Sequence, residues 1–213
     1  MITYNEFIKK YEGKTYDYDG IAGCQCVDTA KLYSDKCLGL KPKAYGNAKD
    51  WWLRRQKYKF FTNNFEFITL KKSANRPYFT QMLRKGDIGI RVRGTYGHIF
   101  VIDSTSETNI TYYDTNGTGH HDPLTKRIVP YTPYYITGVL RPKTHKKIVS
   151  AKIGLRYYSS LTNDNDCGVI PYKETVKVLI DNAGTKKIGN KKYKMSIIFY
   201  NNNFSYCASC YLK

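Results

Sequence analysis

The sequence predicts an α+β domain, with N-terminal helices packed on an antiparallel sheet, followed by a small all-β barrel. Three observations carry that prediction. Apolar residues in the first part of the chain recur at helical spacing, the pattern changes to short alternating runs from Phe60, and the last part gives about five short strands with no helical period.

The helices come first. Ile2, Phe7, Ile8 and Tyr11 fall near helical spacing, and Gly13 ends the run. Asp17-Tyr18-Asp19-Gly20-Ile21-Ala22-Gly23 has the composition of a loop. After it, Val27, Ala30, Tyr33 or Ser34, and Cys37 share one face, so an amphipathic helix begins at Cys26. Paired Trp51 and Trp52 mark a further short helix over 48–58.

Strand-like runs follow at 65–70, 87–93, 97–103, 109–114 and 136–141, separated by turn signals at Lys85-Gly86-Asp87, Arg93-Gly94 and Asn116-Gly117. The α+β domain therefore spans 1–141. Residues 142–149 are basic and without periodicity, which predicts a linker. The barrel spans 150–213, with runs at 151–158, 169–172, 175–180, 192–200 and 205–212.

A chain of 213 residues that is 41% hydrophobic and 24% charged can bury a core, which excludes a disordered tail. No stretch approaches the roughly 18 apolar residues of a membrane span, and residues 1–10 lack the apolar region of a secretory signal, so neither membrane insertion nor export by a signal peptide is expected. The net charge of +18 predicts attraction to a polyanion. Residues 145–213 hold 12 basic and 4 acidic side chains, against 21 and 13 in 1–140, so the last third is the more cationic part. Six cysteines without a signal peptide point to a reducing compartment and to at least one working thiol.

A thiolate nucleophile needs a cationic or dipolar neighbour, an imidazole to handle its proton and a polar group to orient the imidazole. Cys26, at a helix N-terminus, would feel the positive end of the dipole. His98 opens the apolar run Ile99-Phe100-Val101-Ile102, while Asp114 and Asn116 stand at the next strand's end, 16 and 18 residues on. If the two strands form a hairpin, a carboxylate or amide reaches the His98 ring. Cys24 lies in the turn rather than on the helix. His120 and His121 fall in a Gly-rich polar loop and read as solvated, His145 falls in the linker, and Asp87 reads as a turn residue. Cys207 and Cys210 have half-site zinc spacing with only Cys167 besides, and read as strand cysteines.

The series Asp17-Tyr18-Asp19-Gly20, Gly23-Cys24-Gln25-Cys26-Val27-Asp28, Lys85-Gly86-Asp87-Ile88, Gly97-His98-Ile99 and Asp114-Thr115-Asn116 resembles the CHAP family (cysteine, histidine-dependent amidohydrolase/peptidase), a papain-like group of peptidoglycan hydrolases. The resemblance covers about 1–141. It implies Cys26 as nucleophile, His98 as general base, Asp114 and Asn116 as orienting groups, and Gln25 with the Cys26 N–H as the oxyanion site. Relatives tend to have Glu where this chain has Asp114, which leaves open whether Asp114 or Asn116 holds His98.

Gly154-Leu155-Arg156-Tyr157-Tyr158, Gly168-Val169-Ile170-Pro171-Tyr172 and the closing 204–212 segment resemble a bacterial SH3-like (SH3b) wall-binding domain, without the usual Gly of its last motif. Tyr157, Tyr158, Tyr172, Tyr200 and Tyr206 are the candidate wall-binding residues.

Asp17, Asp19 and Asp28 offer hard oxygen donors that suit Ca²⁺. The resemblance adds the carbonyls of Ile21 and Gly23, while helix and turn capping is the alternative for the same three carboxylates. No organic cofactor is implied. Together the resemblances imply an endolysin-like hydrolase of an amide bond in the Gram-positive wall, as amidase or endopeptidase, with peptidoglycan and teichoic acids as partners. Such a protein is made in the host cytoplasm and released through a separate holin. The rival class is a non-enzymatic, basic β-barrel that binds nucleic acid.

Overall fold

The computed structural model describes residues 1–70, 82–118, 121–130, 132, 135–162 and 166–213. They form two units. The larger is Tyr11–Asp35 with Leu40–Pro142, and the smaller is Met1–Lys10 with Lys36–Gly39 and Lys143–Lys213. His120 lies outside the described residues. No described helix is long and apolar enough to cross a membrane.

The chain opens with helix α1 (Tyr4–Tyr11), followed by α2 (Cys26–Leu38), α3 (Ala48–Leu53) and α4 (Lys59–Asn64). The larger unit holds one six-stranded antiparallel sheet. Its strands are β1 (Phe65–Thr69), β2 (Ile88–Arg91), β3 (His98–Thr105), β4 (Asn109–Asp114), β5 (Thr125–Pro130) and β6 (Gly138–Pro142), in the order β1-β6-β2-β3-β4-β5. The expected second helix ends at Leu53, five residues early, and α4 was not expected.

Helix α3 starts where Asn47 and Asp50 form a capping box, which puts Trp51 and Trp52 on its buried side. Gly138 of β6 lies under Trp52, and a Cβ there would meet the indole at 2.2 Å, so only glycine lets helix and sheet approach this closely. Phe100, Ile102, Ile110, Tyr112 and Val139 form the core of the sheet. Strand β5 went unread in the sequence because it is an edge strand with alternating exposure, carrying Lys126, Arg127 and an exposed Ile128. Asp87 does form the expected turn, and it also accepts two hydrogen bonds from buried Arg141, at 2.9 and 2.7 Å. Losing either partner would leave a buried charge unpaired.

The smaller unit holds β7 (His145–Ile148), β8 (Leu155–Tyr158), β9 (Asp166–Ile170), β10 (Thr175–Ile188), β11 (Lys191–Tyr200) and β12 (Asn203–Ala208). They pair antiparallel in the order β7-β10-β11-β12-β8-β9, and a 3₁₀ turn follows at Ser209–Tyr211. Residues 145–148, expected as linker, are a strand. His145 Nε2 and Lys147 Nζ contact Asp181 at 2.8 and 3.1 Å on the sheet surface, so charge hides the strand pattern in the sequence. The first ten residues pack with these C-terminal strands. Tyr4 stacks on Phe204, and the Tyr206 hydroxyl donates to Glu6 Oε2 at 2.9 Å. Helical periodicity in α1 shows an apolar face without showing what covers it.

That packing corrects two candidate wall-binding residues. Tyr206 and Tyr158 are buried core side chains, 0% and 5% exposed, because their register positions face inward on β12 and β8. Tyr157 and Tyr200 are partly exposed, with their rings edge to face at 5.6 Å, and Tyr172 is exposed. A groove of about 350 Å³ on the same unit is lined by Ile153, Leu155, Ile188, Tyr193 and Tyr211, among others.

Candidate active site

Cys26 is the first residue of α2, the position the sequence predicts, and its side chain is partly exposed. The turn before it, with Ala22 and Gly23 both at positive φ, directs the chain into the helix. Cys24 is buried in that turn, with its sulfur 3.7 Å from the Asp122 carbonyl.

His98 begins β3. Gly97 before it has φ +72°, and a Cβ there would stand 2.7 Å from the Arg91 carbonyl and 2.8 Å from the Lys49 backbone nitrogen, so glycine is required for the chain to deliver His98 here. The β3–β4 register pairs Val101 with Tyr113. Continuing it sets Asp114 across from Phe100 and diagonal to His98, within side-chain reach. His98 Nε2 and Asp114 Oδ2 are 2.7 Å apart, and both groups are buried. The His98 ring also hydrogen-bonds Cys26. Burial opposes the imidazolium, yet the bonds to Asp114 and Cys26 outweigh it and hold the His98 pKa up at about 9.

The structure thus brings Cys26, His98 and Asp114 together, and it separates Asn116 from them. Asn116 has φ +54°, which turns the chain away after β4, and its Oδ1 accepts the His121 N–H at 3.0 Å. Gln25 lies beside Cys26 with its side-chain amide turned to the Ala22 carbonyl at 3.4 Å, while its backbone carbonyl accepts from Thr115.

Three supporting residues were missed in the sequence. Arg127 of β5 donates from Nε to Asp114 Oδ1 at 2.7 Å and from Nη2 to Asp122 at 3.3 Å, so the second oxygen of Asp114 is also held. Thr115, buried beside Asp114, ties the end of β4 to α2 through Thr29. His121 is exposed, as the sequence predicts, yet its Nδ1 lies 2.8 Å from the Cys24 carbonyl in the turn that leads to Cys26. A basic residue on a predicted strand would have flagged Arg127, but the strand itself went unread.

Asp17, Asp19 and Asp28 do converge, with ligand oxygens within 4.8 Å of one another. Each also caps local backbone. Asp17 Oδ1 accepts the Gly20 N–H, Asp19 Oδ1 the Ile21 N–H and Asp28 Oδ2 the Gln25 N–H, at 2.8, 3.2 and 2.9 Å. The Lys31 ammonium reaches into the group from α2, and Lys31 was not singled out in the sequence.

No protein-family model matches the chain. A D-alanyl-L-alanine endopeptidase of Streptococcus phage B30 is 30% identical over 161 residues, covering 70% of this chain and 32% of the relative. The chain therefore spans about a third of that relative's length. Among solved structures, the endolysin LysIME-EF1 is similar over 91% of this chain and 78% of its own, with a TM-score of 0.51 and 21% identity, and shares the fold. Ly7917 is similar over 86% and 82%, with a TM-score of 0.41 and 15% identity.

Proposed function

We propose that the chain is a peptidoglycan hydrolase that cuts an amide bond with Cys26 as nucleophile. The observation that carries this reading is the hydrogen-bonded series Cys26, His98, Asp114, with the sulfur at a helix N-terminus and the imidazole held from its far side by a buried carboxylate. The Cys26 thiolate adds to the amide carbonyl, and the Cys26 backbone N–H stabilises the developing oxyanion, joined by the Gln25 amide once it swings from the Ala22 carbonyl. His98 gives its proton to the leaving amine as the C–N bond breaks, which leaves a thioester on Cys26. Water then attacks the thioester carbonyl while His98 takes its proton, and the carboxylic acid and the Cys26 thiol are released.

The phage relative named an endopeptidase supports peptide cross-links over the muramoyl–alanine link as the bond cut. The strongly basic 145–213 segment and the partly exposed Tyr157–Tyr200 pair support the smaller unit as the part that holds the anionic Gram-positive wall. Digestion of purified Gram-positive peptidoglycan, with mass spectrometry of the new ends, tests the reaction. An endopeptidase leaves new peptide amino and carboxyl termini with the muramoyl–alanine link intact, and an amidase leaves free muramic acid carboxyls and free alanine amino termini. An unchanged digest would refute the hydrolase.

A further inference from the structure

We propose that the ammonium of Lys31 is the resident cation of the Asp17–Asp19–Asp28 loop, so that this chain fixes the turn before Cys26 without a divalent metal. The three carboxylates by themselves fit a hard cation, which takes 6 to 8 oxygens at roughly 2.3–2.6 Å. Lys31 Nζ, however, lies 2.5 Å from Asp19 Oδ2 and 3.7 Å from Asp28 Oδ1, on a side chain only 6% exposed. An ion bound to Asp19 Oδ2 at a normal Ca–O distance would lie within about 5 Å of Nζ, against a like charge. The residues present therefore do not fit Ca²⁺ while Lys31 is in place.

The spacing explains how the helix supplies its own cation. Lys31 is three residues after Asp28 on α2, so the two share a face, and its stem runs back along the first turn that begins at Cys26. Asp19 arrives from the loop and meets the ammonium from the other side. With one oxygen of each carboxylate already accepting a backbone N–H of the loop or helix start, Lys31 ties Asp19 of the turn to α2 by a hydrogen bond and supplies charge 3.7 Å from Asp28 Oδ1, which is buried without a hydrogen bond of its own among the described residues. It joins the turn before Cys26 to α2, and the assignment stands on this geometry whether or not the proposed reaction holds.

Calorimetric titration of the full chain with Ca²⁺ alone, and thermal melting with Ca²⁺ or a chelator, test it without substrate. The wild-type chain should give no binding heat at ~1 mM Ca²⁺, within the range of weak extracellular sites, and no change in Tm with either addition. Lys31→Met should melt lower in chelator, and Ca²⁺ should then raise its Tm by about 2–4 °C or more, because removing the ammonium opens the carboxylates to the metal. Lys31→Arg should keep the wild-type indifference. Lys31→Gln serves the same arm if the Met variant does not fold. Calcium binding or chelator sensitivity in the wild-type chain would overturn the assignment, as would a folded Lys31→Met or Lys31→Gln protein on which Ca²⁺ has no effect.

Discussion

The hydroxyl of Thr115 donates to the carbonyl of Gln25 at 2.8 Å, across 90 residues of sequence. The Thr29 hydroxyl lies 2.8 Å from the same Thr115 oxygen, so the end of β4 is fastened to the start of α2. Asp114 is the neighbour of Thr115, and Cys26 is the neighbour of Gln25. One buried side chain thus sets the distance between the strand that orients His98 and the helix that carries the sulfur.

Thr115→Val keeps the shape and removes both bonds. It should cost ~1–3 kcal/mol of stability, because the Gln25 carbonyl and Thr29 hydroxyl lose a buried partner. Wall lysis should fall mainly in kcat, since the nucleophile and base lose their spacing while substrate contacts are untouched. Denaturant unfolding and initial lysis rates check the two parts, and a variant with wild-type kcat would show that this tie does not position the site.

The second expectation concerns pH. His98 is held at about 9, above its ordinary 6.5, so the charged imidazole contributes stability that is complete below pH 6.5 and is lost as pH rises through 9. In the proposed reaction the same proton serves the leaving amine, so lysis should decline on the alkaline side near pH 9. Asp114→Asn removes a partner that favours the imidazolium, and the decline should move toward 6.5 with a lower maximum rate. Rate profiles from neutral to alkaline pH read this directly. An unshifted alkaline limb in Asp114→Asn would mean that Asp114 does not govern His98.

Wall attachment should depend on charge and on the partly exposed aromatic pair. Binding of an inactive full-length Cys26→Ala protein to purified walls should weaken as salt shortens the screening length from ~10 Å at 0.1 M to ~3 Å at 1 M. Tyr157→Ala and Tyr200→Ala should each weaken it further at fixed salt. Co-sedimentation measures both, and salt-independent binding would contradict an electrostatic contribution from the basic strands.

The parts of the site that local rules govern were legible in the sequence. Cys26 shows itself by a helix start after a glycine turn, and His98 by leading an apolar strand after Gly97. Asp114 and Asn116 both stand at the end of a strand paired with that of His98, and the departure from the Glu of relatives left both open as its partners. The positive φ of Asn116 decides between them, since it sends that side chain to His121. Arg127 stayed hidden because a short edge strand with two basic residues and alternating exposure carries little apolar pattern. The carboxylate loop reads in the sequence as a set of donors for Ca²⁺ or as turn and helix caps, and the approach of Lys31 to it depends on a side-chain path that spacing does not reveal. The partners of α1 and the strand at His145–Ile148 depend on long-range pairing in the same way.

The central claim is that the Cys26 sulfur performs the reaction. Clearing of a Gram-positive cell suspension by wild-type, Cys26→Ala and Cys24→Ala proteins, with wall binding measured in parallel, tests it most directly. Cys26→Ala should bind walls as the wild type does and clear no cells, while Cys24→Ala, which alters a buried turn residue, should retain lysis. Clearing by Cys26→Ala, or its loss in Cys24→Ala with the fold and wall binding intact, would contradict the account.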